Sequence, residues 1–432
     1  MTRTPRLLGI HRLHYRMGGA EAVHLDHLAL FRENGWDCAE FAMAHPKNEP
    51  SPWASYFPSY FDAGDAQGFA KVGATARFLH SSEAARKFAA LLDDFQPDVI
   101  HIHGIYHQLT TAIIPPALER KIPIAFTLHD YKIICPAYHF FRADVGVCED
   151  CRGGRQYMAA VHRCQHGSLP VDSVYALDGW LQWHRGTIRN NVAAFVGPAR
   201  FIVDKFAEHG ISREKLHYIP NFFQTTDDRP VDPADVAALR IRYGRFLLYF
   251  GRLSIEKGLN DLVDAAAIAG VPLVLVGIGN EESALRARAA ARGVDIHFTG
   301  HLTGAKLWAH VEAARAIALP SIWYEIAPKS ILEAQARAKA VITTAIGGNP
   351  EMVEDGVTGF VVPPNDPAAL GAAVSRAFTM DDSDLARLGE AARQRALTTF
   401  TKERYFAETT ALYDGLLGRI VERPVERMKE AS

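Results

Sequence analysis

Arg252 and Lys257 lie on one short stretch, Glu325 and Glu333 stand eight residues apart, and Cys135, Cys148, Cys151 and Cys164 form a compact series. Each set has a chemistry. Gly251–Gly258 (GRLSIEKG) follows a strand-like run, so its two cations sit on a strand-end loop. Such a pair neutralises a diphosphate without a metal, with Arg as a bidentate fork and Lys as a point charge. A carboxylate is a poor partner for phosphate but accepts hydrogen bonds from sugar hydroxyls. A helix starting near Ala327 would leave Glu325 in the loop before it and Glu333 about two turns in. The helix N-terminus between them would favour phosphate. The plain alternatives are a surface ion pair of Glu256 with Arg252 or Lys257, a dipole-favoured Glu325 and a solvated Glu333.

His129 ends a predicted strand and precedes Asp130. Its imidazole can hydrogen-bond a sugar hydroxyl or a leaving phosphate, or simply pair with Asp130. His101 and His103 are two apart in DVIHIHG and share a strand face. Both fit satisfied core positions; His103 is nearer the strand's C-terminal end.

The cysteines read C-x12-C-x2-C-x12-C. The central C-x2-C suits two thiolates on one tetrahedral ion. An all-thiolate site is typical of Zn, preferred here, or of iron bound with sulfur. Four thiolates leave no open position, so the role would be structural. His139, His162 and His166 are substitute ligands. Four reduced thiols, or a reversible disulfide, are the alternative. Cys38 reads as a small buried apolar residue.

These residues need a scaffold, and the chain offers a rhythm of strand, loop and helix. Arg6–His11, Asp98–Gly104, Ile122–His129 and Asn191–Gly197 read as strands, with a helix from Glu21 to about Arg32. After the Pro- and Asp-containing stretch Tyr218–Pro230, the rhythm restarts. Phe246–Phe250, Pro272–Gly277, Asp295–Thr299, Ala316–Pro320, Ala340–Thr344 and Thr358–Pro363 are strand-like, with helices including Leu259–Ala269 and Glu281–Arg292. Alternating βαβ units imply parallel sheets. The expectation is an α/β protein of two doubly wound Rossmann-like domains facing across a cleft, with ligands beyond the strand C-termini. The boundaries are 1–215, with a cysteine insertion at about 131–170; 216–400; and 401–432. The last comprises a helix from Lys402 to about Ile420, packing back on the first domain, and a charged tail. Residues 45–80 show no clear period.

Composition excludes several classes. A net charge of −2 from 47 basic and 49 acidic residues leaves no basic excess for nucleic acid. No apolar run approaches the ~18 residues of a membrane span. The first residues lack the apolar centre of a secretory signal, which makes the cytosol the default compartment.

Taken together, GRLSIEKG at 251–258, PSIWYEIAPKSILEA at 320–334 and GGNPEMVEDGVTGFVVPPND at 347–366 resemble the C-terminal domain of GT-B glycosyltransferases, specifically the retaining family 4 group with its E-x7-E spacing. In the first half, Gly18-Gly19-x-Glu21, DVIHIHG, TLHDY at 127–131 and YIPN at 218–221 continue the resemblance. It implies that Arg252 and Lys257 hold the donor diphosphate and that Glu333 binds the nucleotide ribose. Glu325 would lie near the donor sugar or leaving group, with the Ile326 and Ala327 amides cradling phosphate or sugar. Gly18 and Gly19 would let the first domain's backbone approach the diphosphate. His129 would serve the reacting centre, with Asp130 and His103 on the acceptor side. Ala327-Pro328 departs from the family, where many members carry Gly. The implied reaction moves a sugar from a nucleotide-diphosphate sugar to a glycan or lipid-linked acceptor, with retention and no metal required for catalysis. Lipid-linked acceptors would bring peripheral contact with the inner membrane face. A GT-B-fold epimerase or phosphorylase, and a non-catalytic metal-stabilised binding protein, are the alternatives.

Overall fold

The computed structural model describes residues 3–62, 70–222 and 231–418. The chain divides into two units, one from Met1–Thr127, Gly186–Val196 and Glu403–Ser432, the other from Leu128–Arg185 and Gly197–Lys402. Both are built on parallel Rossmann-like sheets.

The first unit contains β1 (Arg6–His11), β2 (Asp37–Phe41), β3 (Val99–Gly104), β4 (Ile124–Thr127) and β5 (Ala194–Gly197), in the order β2-β1-β3-β4-β5. Every pairing among them is parallel; Leu8 aligns with both Ala39 and Ile100. β3, β4 and β5 are buried throughout, as a sheet covered on both faces requires. The strands are shorter than the sequence runs suggest. Asp98 is spent on the turn, its carboxylate accepting from the Arg6 amide at 2.8 Å. Pro123 cannot donate to a ladder, and β4 ends at Thr127, so His129 lies two residues beyond the strand.

The helix Gly19–Glu33 and the helix Lys402–Leu416 both belong to this unit. Tyr413, fully buried, joins Leu7, Leu28, Phe31, Trp36 and Cys38 in one apolar cluster, which gives Cys38 the core position expected of it. The tyrosine hydroxyls meet buried histidines. Tyr405 Oη lies 2.8 Å from His27 Nδ1, and Tyr413 Oη contacts His27 Nε2 at 3.1 Å and His101 Nδ1. His101 Nε2 is 2.6 Å from Thr127 Oγ1, so His101 is a satisfied core histidine.

The second unit carries β6 (Leu247–Phe250), β7 (Leu273–Val276), β8 (Ile296–Gly300), β9 (Ala316–Leu319), β10 (Val341–Thr344) and β11 (Gly359–Val362), ordered β8-β7-β6-β9-β10-β11. One continuous core runs through this sheet and its helices. Strand order reverses at β6, between β7 and β9. That switch point is where a doubly wound sheet leaves a crevice beyond its strand ends.

The cysteine-bearing segment groups with this second unit. It contains a hairpin of Phe141–Arg142 with Gly146–Val147, the helix Met158–His162 and the helix Leu169–Arg185. The last has no clean apolar stripe, since Leu169, Leu177 and Trp180 are exposed, which is why periodicity does not reveal it. Within the aperiodic stretch 45–80 lie a turn at Ala54–Tyr56 and the helix Ala70–Leu79; residues 63–69 are outside the described part. So are 223–230 of the expected linker and the tail 419–432, including the expected helix end at Ile420. Among the described residues no helix is long and apolar enough to cross a membrane.

Candidate functional site

The loops after β6 and β9 meet at the switch point. Lys257 Nζ donates to Glu325 Oε1 at 2.6 Å, and Ser321 Oγ donates to the same oxygen at 2.6 Å. Both ion-pair partners are well shielded, with side-chain exposures of 18% and 9%. Burial alone pushes a carboxylate up, but the Lys257 charge and the hydrogen bonds from Lys257 and Ser321 outweigh it. Glu325 is therefore held below the usual carboxylate range and ionised at neutral pH. The Lys257 ammonium also lies 5.1 Å from the Trp323 ring centroid. Arg252 is different: its side chain is 65% exposed and touches Glu256 at 3.1 Å. The surface pair of Arg252 with Glu256 thus forms, whereas Lys257 turns inward to Glu325.

Two glycine requirements fix these loops. Gly258, at φ +68, closes the β6 loop, and a Cβ there would overlap the Pro320 carbonyl. Gly347-Gly348 lies on the backbone of Glu325 and Ile326, where either Cβ would strike a carbonyl; the Gly348 amide donates to the Glu325 carbonyl at 2.7 Å. The helix begins at Lys329, not near Ala327, with Pro328 as its extended N-cap. The cause is local: a residue preceding proline is driven out of the helical region. Glu333 is consequently just over one turn into the helix, not two. It is half-buried, and burial pushes its carboxyl above the usual range against the pull of Lys329 and Arg337. Among the described residues no hydrogen bond to its carboxylate is made. Ile326 and Ala327 are half-buried in the preceding loop.

The cysteine segment reaches this loop. Tyr131 Oη donates to the Tyr324 carbonyl at 3.1 Å, and Tyr324 Oη donates to Glu149 Oε1 at 2.9 Å. Lys205 Nζ donates to that same Glu149 oxygen at 3.0 Å. The His139 ring is 6.4 Å from Trp323 and feels both Glu256 and Arg252; burial lowers its pKa. Tyr131, Glu149, Lys205 and Tyr324 were not expected here from sequence. Tyr131 and Tyr324 stand inside the quoted TLHDY and PSIWYE stretches, but nothing local pairs residues 193 positions apart.

His129 and Asp130 sit half-buried at the start of the same unit. The Asp130 carboxylate accepts from the Lys132 amide at 2.8 Å, fixing the turn. Lys132 Nζ pairs with Asp178 at 2.9 Å between two buried side chains, which ties the Leu169–Arg185 helix to this turn. In the first unit, Gly18 and Gly19 are exposed where the helix Gly19–Glu33 begins. His103 is 2% exposed, stacked on His101 at 4.5 Å and 5.1 Å from both His24 and His27. Its surroundings in that unit are those of an interior residue.

Residues 17–227 match the family model for glycosyltransferase family 4, and residues 237–395 match that for glycosyl transferases group 1. O-antigen chain mannosyltransferase C of Escherichia coli is 32% identical over 175 residues, 40% of this chain and 47% of that protein. Glycogen synthase of Mycobacterium tuberculosis is 36% identical over 185 residues, 41% of this chain and 44% of that protein. The chain thus matches somewhat under half the length of these curated relatives. Among solved structures, Anabaena HepE in complex with UDP and glucose aligns with a TM-score of 0.65 at 19% identity, covering 94% of this chain and all of that one. Sucrose-phosphate synthase from Thermosynechococcus elongatus aligns at 0.67 and 19%, covering 96% of this chain and 99% of that one. Both halves of the chain carry glycosyltransferase family domains, and together they form the two Rossmann-like domains of the GT-B fold.

Proposed function

We propose that this protein is a retaining glycosyltransferase that moves a sugar from a nucleotide-diphosphate sugar to a glycan or lipid-linked acceptor in polysaccharide assembly. The observation that carries the reading is the shielded Lys257–Glu325 pair at the switch point, with the exposed Arg252 on the same loop. The relatives act on carbohydrate by name, and one structural neighbour holds UDP and glucose.

In this reading Arg252 and Lys257 take the diphosphate, and Glu333 accepts hydrogen bonds from the ribose hydroxyls. The bond from the sugar's anomeric carbon to the diphosphate oxygen breaks, and charge grows on the leaving phosphate. Preorganised cations stabilise that charge more in the transition state than in the ground state. The acceptor hydroxyl bonds to the anomeric carbon from the same face and gives its proton to the departing phosphate oxygen. His129 serves the reacting centre and Asp130 the acceptor side, both from the turn after β4. Glu325, kept ionised, holds Lys257 in place and accepts from a donor-sugar hydroxyl.

The test is titration with UDP, GDP and ADP, comparing the unchanged protein with Glu333→Ala and Arg252→Ala. One nucleotide should bind, and each substitution should weaken it about tenfold or more, the worth of a charge-assisted hydrogen bond. Absence of binding to all three by the metal-replete protein would remove the proposal's support. The anomeric configuration of the product, read by NMR, decides retention.

A further inference from the structure

One small buried cluster of the cysteine-bearing segment consists of Cys151, Ala159 and Ala176, with Cys164 packed against it. A small core of this kind usually needs a covalent or metal crosslink to hold one shape. All four cysteines of the segment are free of disulfides, and all four line one small cavity together with His162 and Arg142. Three different pieces of backbone deliver them there. Cys135 follows the Tyr131 turn, Cys148 and Cys151 leave the hairpin, and Cys164 follows the helix Met158–His162. Hydrogen bonds set these positions: the Cys148 amide donates to the Phe140 carbonyl at 2.8 Å and the Cys164 amide to the Ala159 carbonyl at 3.1 Å. The Asp172 carboxylate accepts the Gln165, His166 and Ser168 amides, locking the turn after Cys164.

We propose that Cys135, Cys148, Cys151 and Cys164 hold one zinc ion in a closed, four-thiolate structural site. Binding Zn(II) releases four thiol protons, and the complex carries two net negative charges beside Arg142, which lines the same cavity. Among the described residues, the three groups whose ligand atoms lie within 4.8 Å of one another are instead His27, His101 and His103. The nitrogens of His27 and His101 there are engaged by Tyr405, Tyr413 and Thr127, so that trio reads as a hydrogen-bonded network. The thiols stand wider around their cavity, and drawing them to Zn–S bonds of about 2.3 Å is work the ion itself does.

The experiment is metal analysis of the full chain purified without chelator, followed by release of the metal with a mercurial thiol reagent. One zinc per chain, set free as thiols are titrated, is expected. Replacing it with Co(II) should give thiolate-to-cobalt charge transfer and intense tetrahedral d–d absorption. Cys151→Ser should lose the zinc, while Cys38→Ser should keep it. A protein that retains no metal and takes up neither Zn(II) nor Co(II) overturns the proposal, as does a disulfide between any two of the four. Stoichiometric iron with acid-labile sulfide overturns zinc as the occupant.

Discussion

The first unit buries histidines and the second buries an ion pair, and the two solutions run opposite ways. His24 is wholly inside, ringed by His11, His14 and His103, and among the described residues neither of its nitrogens has a hydrogen-bond partner. Burial first, then the neighbouring imidazoles, hold its pKa well below the usual value. His11 is lowered to about 3 by burial and by Arg12. These groups stay neutral; His11 meets the Leu13 backbone, and hydroxyls meet His27 and His101. At the switch point, burial acts on Glu325 too, but Lys257 and Ser321 hold the charge in place. What a buried ionisable group becomes depends on whether its partner carries a full opposite charge.

The largest effects should come from breaking the charged pair. Glu325→Gln is expected to cut sugar transfer by about a hundredfold or more. Lys257→Met strands a buried carboxylate and should cost about 3–5 kcal/mol in denaturant unfolding. The double variant should recover much of that stability without recovering activity. A Lys257→Met protein as stable as the unchanged one would erase the contrast.

The next effect is acid sensitivity of the histidine cluster. The folded pKa values of His11, His14 and His24 lie below the unfolded value near 6.5, so the unfolded chain binds more protons in between. The cluster's contribution is complete above about pH 6.5 and falls as pH drops toward 3, through the lowered value of His11. Urea unfolding at a series of pH values should show a flatter slope for His24→Leu than for the unchanged protein. Equal slopes would mean that His24 is protonated in the folded state.

The smallest effect should follow Tyr413→Phe. It deletes the hydroxyl shared by His27 and His101 while keeping the ring in its cluster. A loss of about 1–2 kcal/mol is expected by thermal unfolding, because two buried nitrogens lose a partner. An unchanged midpoint would show that the histidines find other donors.

Much of the scaffold is legible in the residues themselves. Short apolar runs such as Leu273–Val276 and Ala316–Leu319 can only be buried strands, and Leu259–Ala269 carries its own glycine stops at Gly258 and Gly270. The Arg–Lys loop and the two glutamates could be singled out because charge next to a strand end is chemically conspicuous. The Leu169–Arg185 helix was not legible, since its apolar residues face both ways. Nor was the true helix start at Lys329, although Ala327-Pro328 carried the signal.

Residue types and local spacing therefore determined the α/β class, the strands, and the inventory of groups able to meet phosphate, sugar hydroxyl or metal. Tertiary structure alone decided the partners. It sent Lys257 to Glu325 and left Arg252 outside. It set Tyr131 and Glu149 on Tyr324, and brought four cysteines from three backbone pieces to one cavity. The reason is physical: propensity and periodicity act within a few residues of chain, whereas burial, pairing and charge state depend on neighbours that only long-range packing supplies.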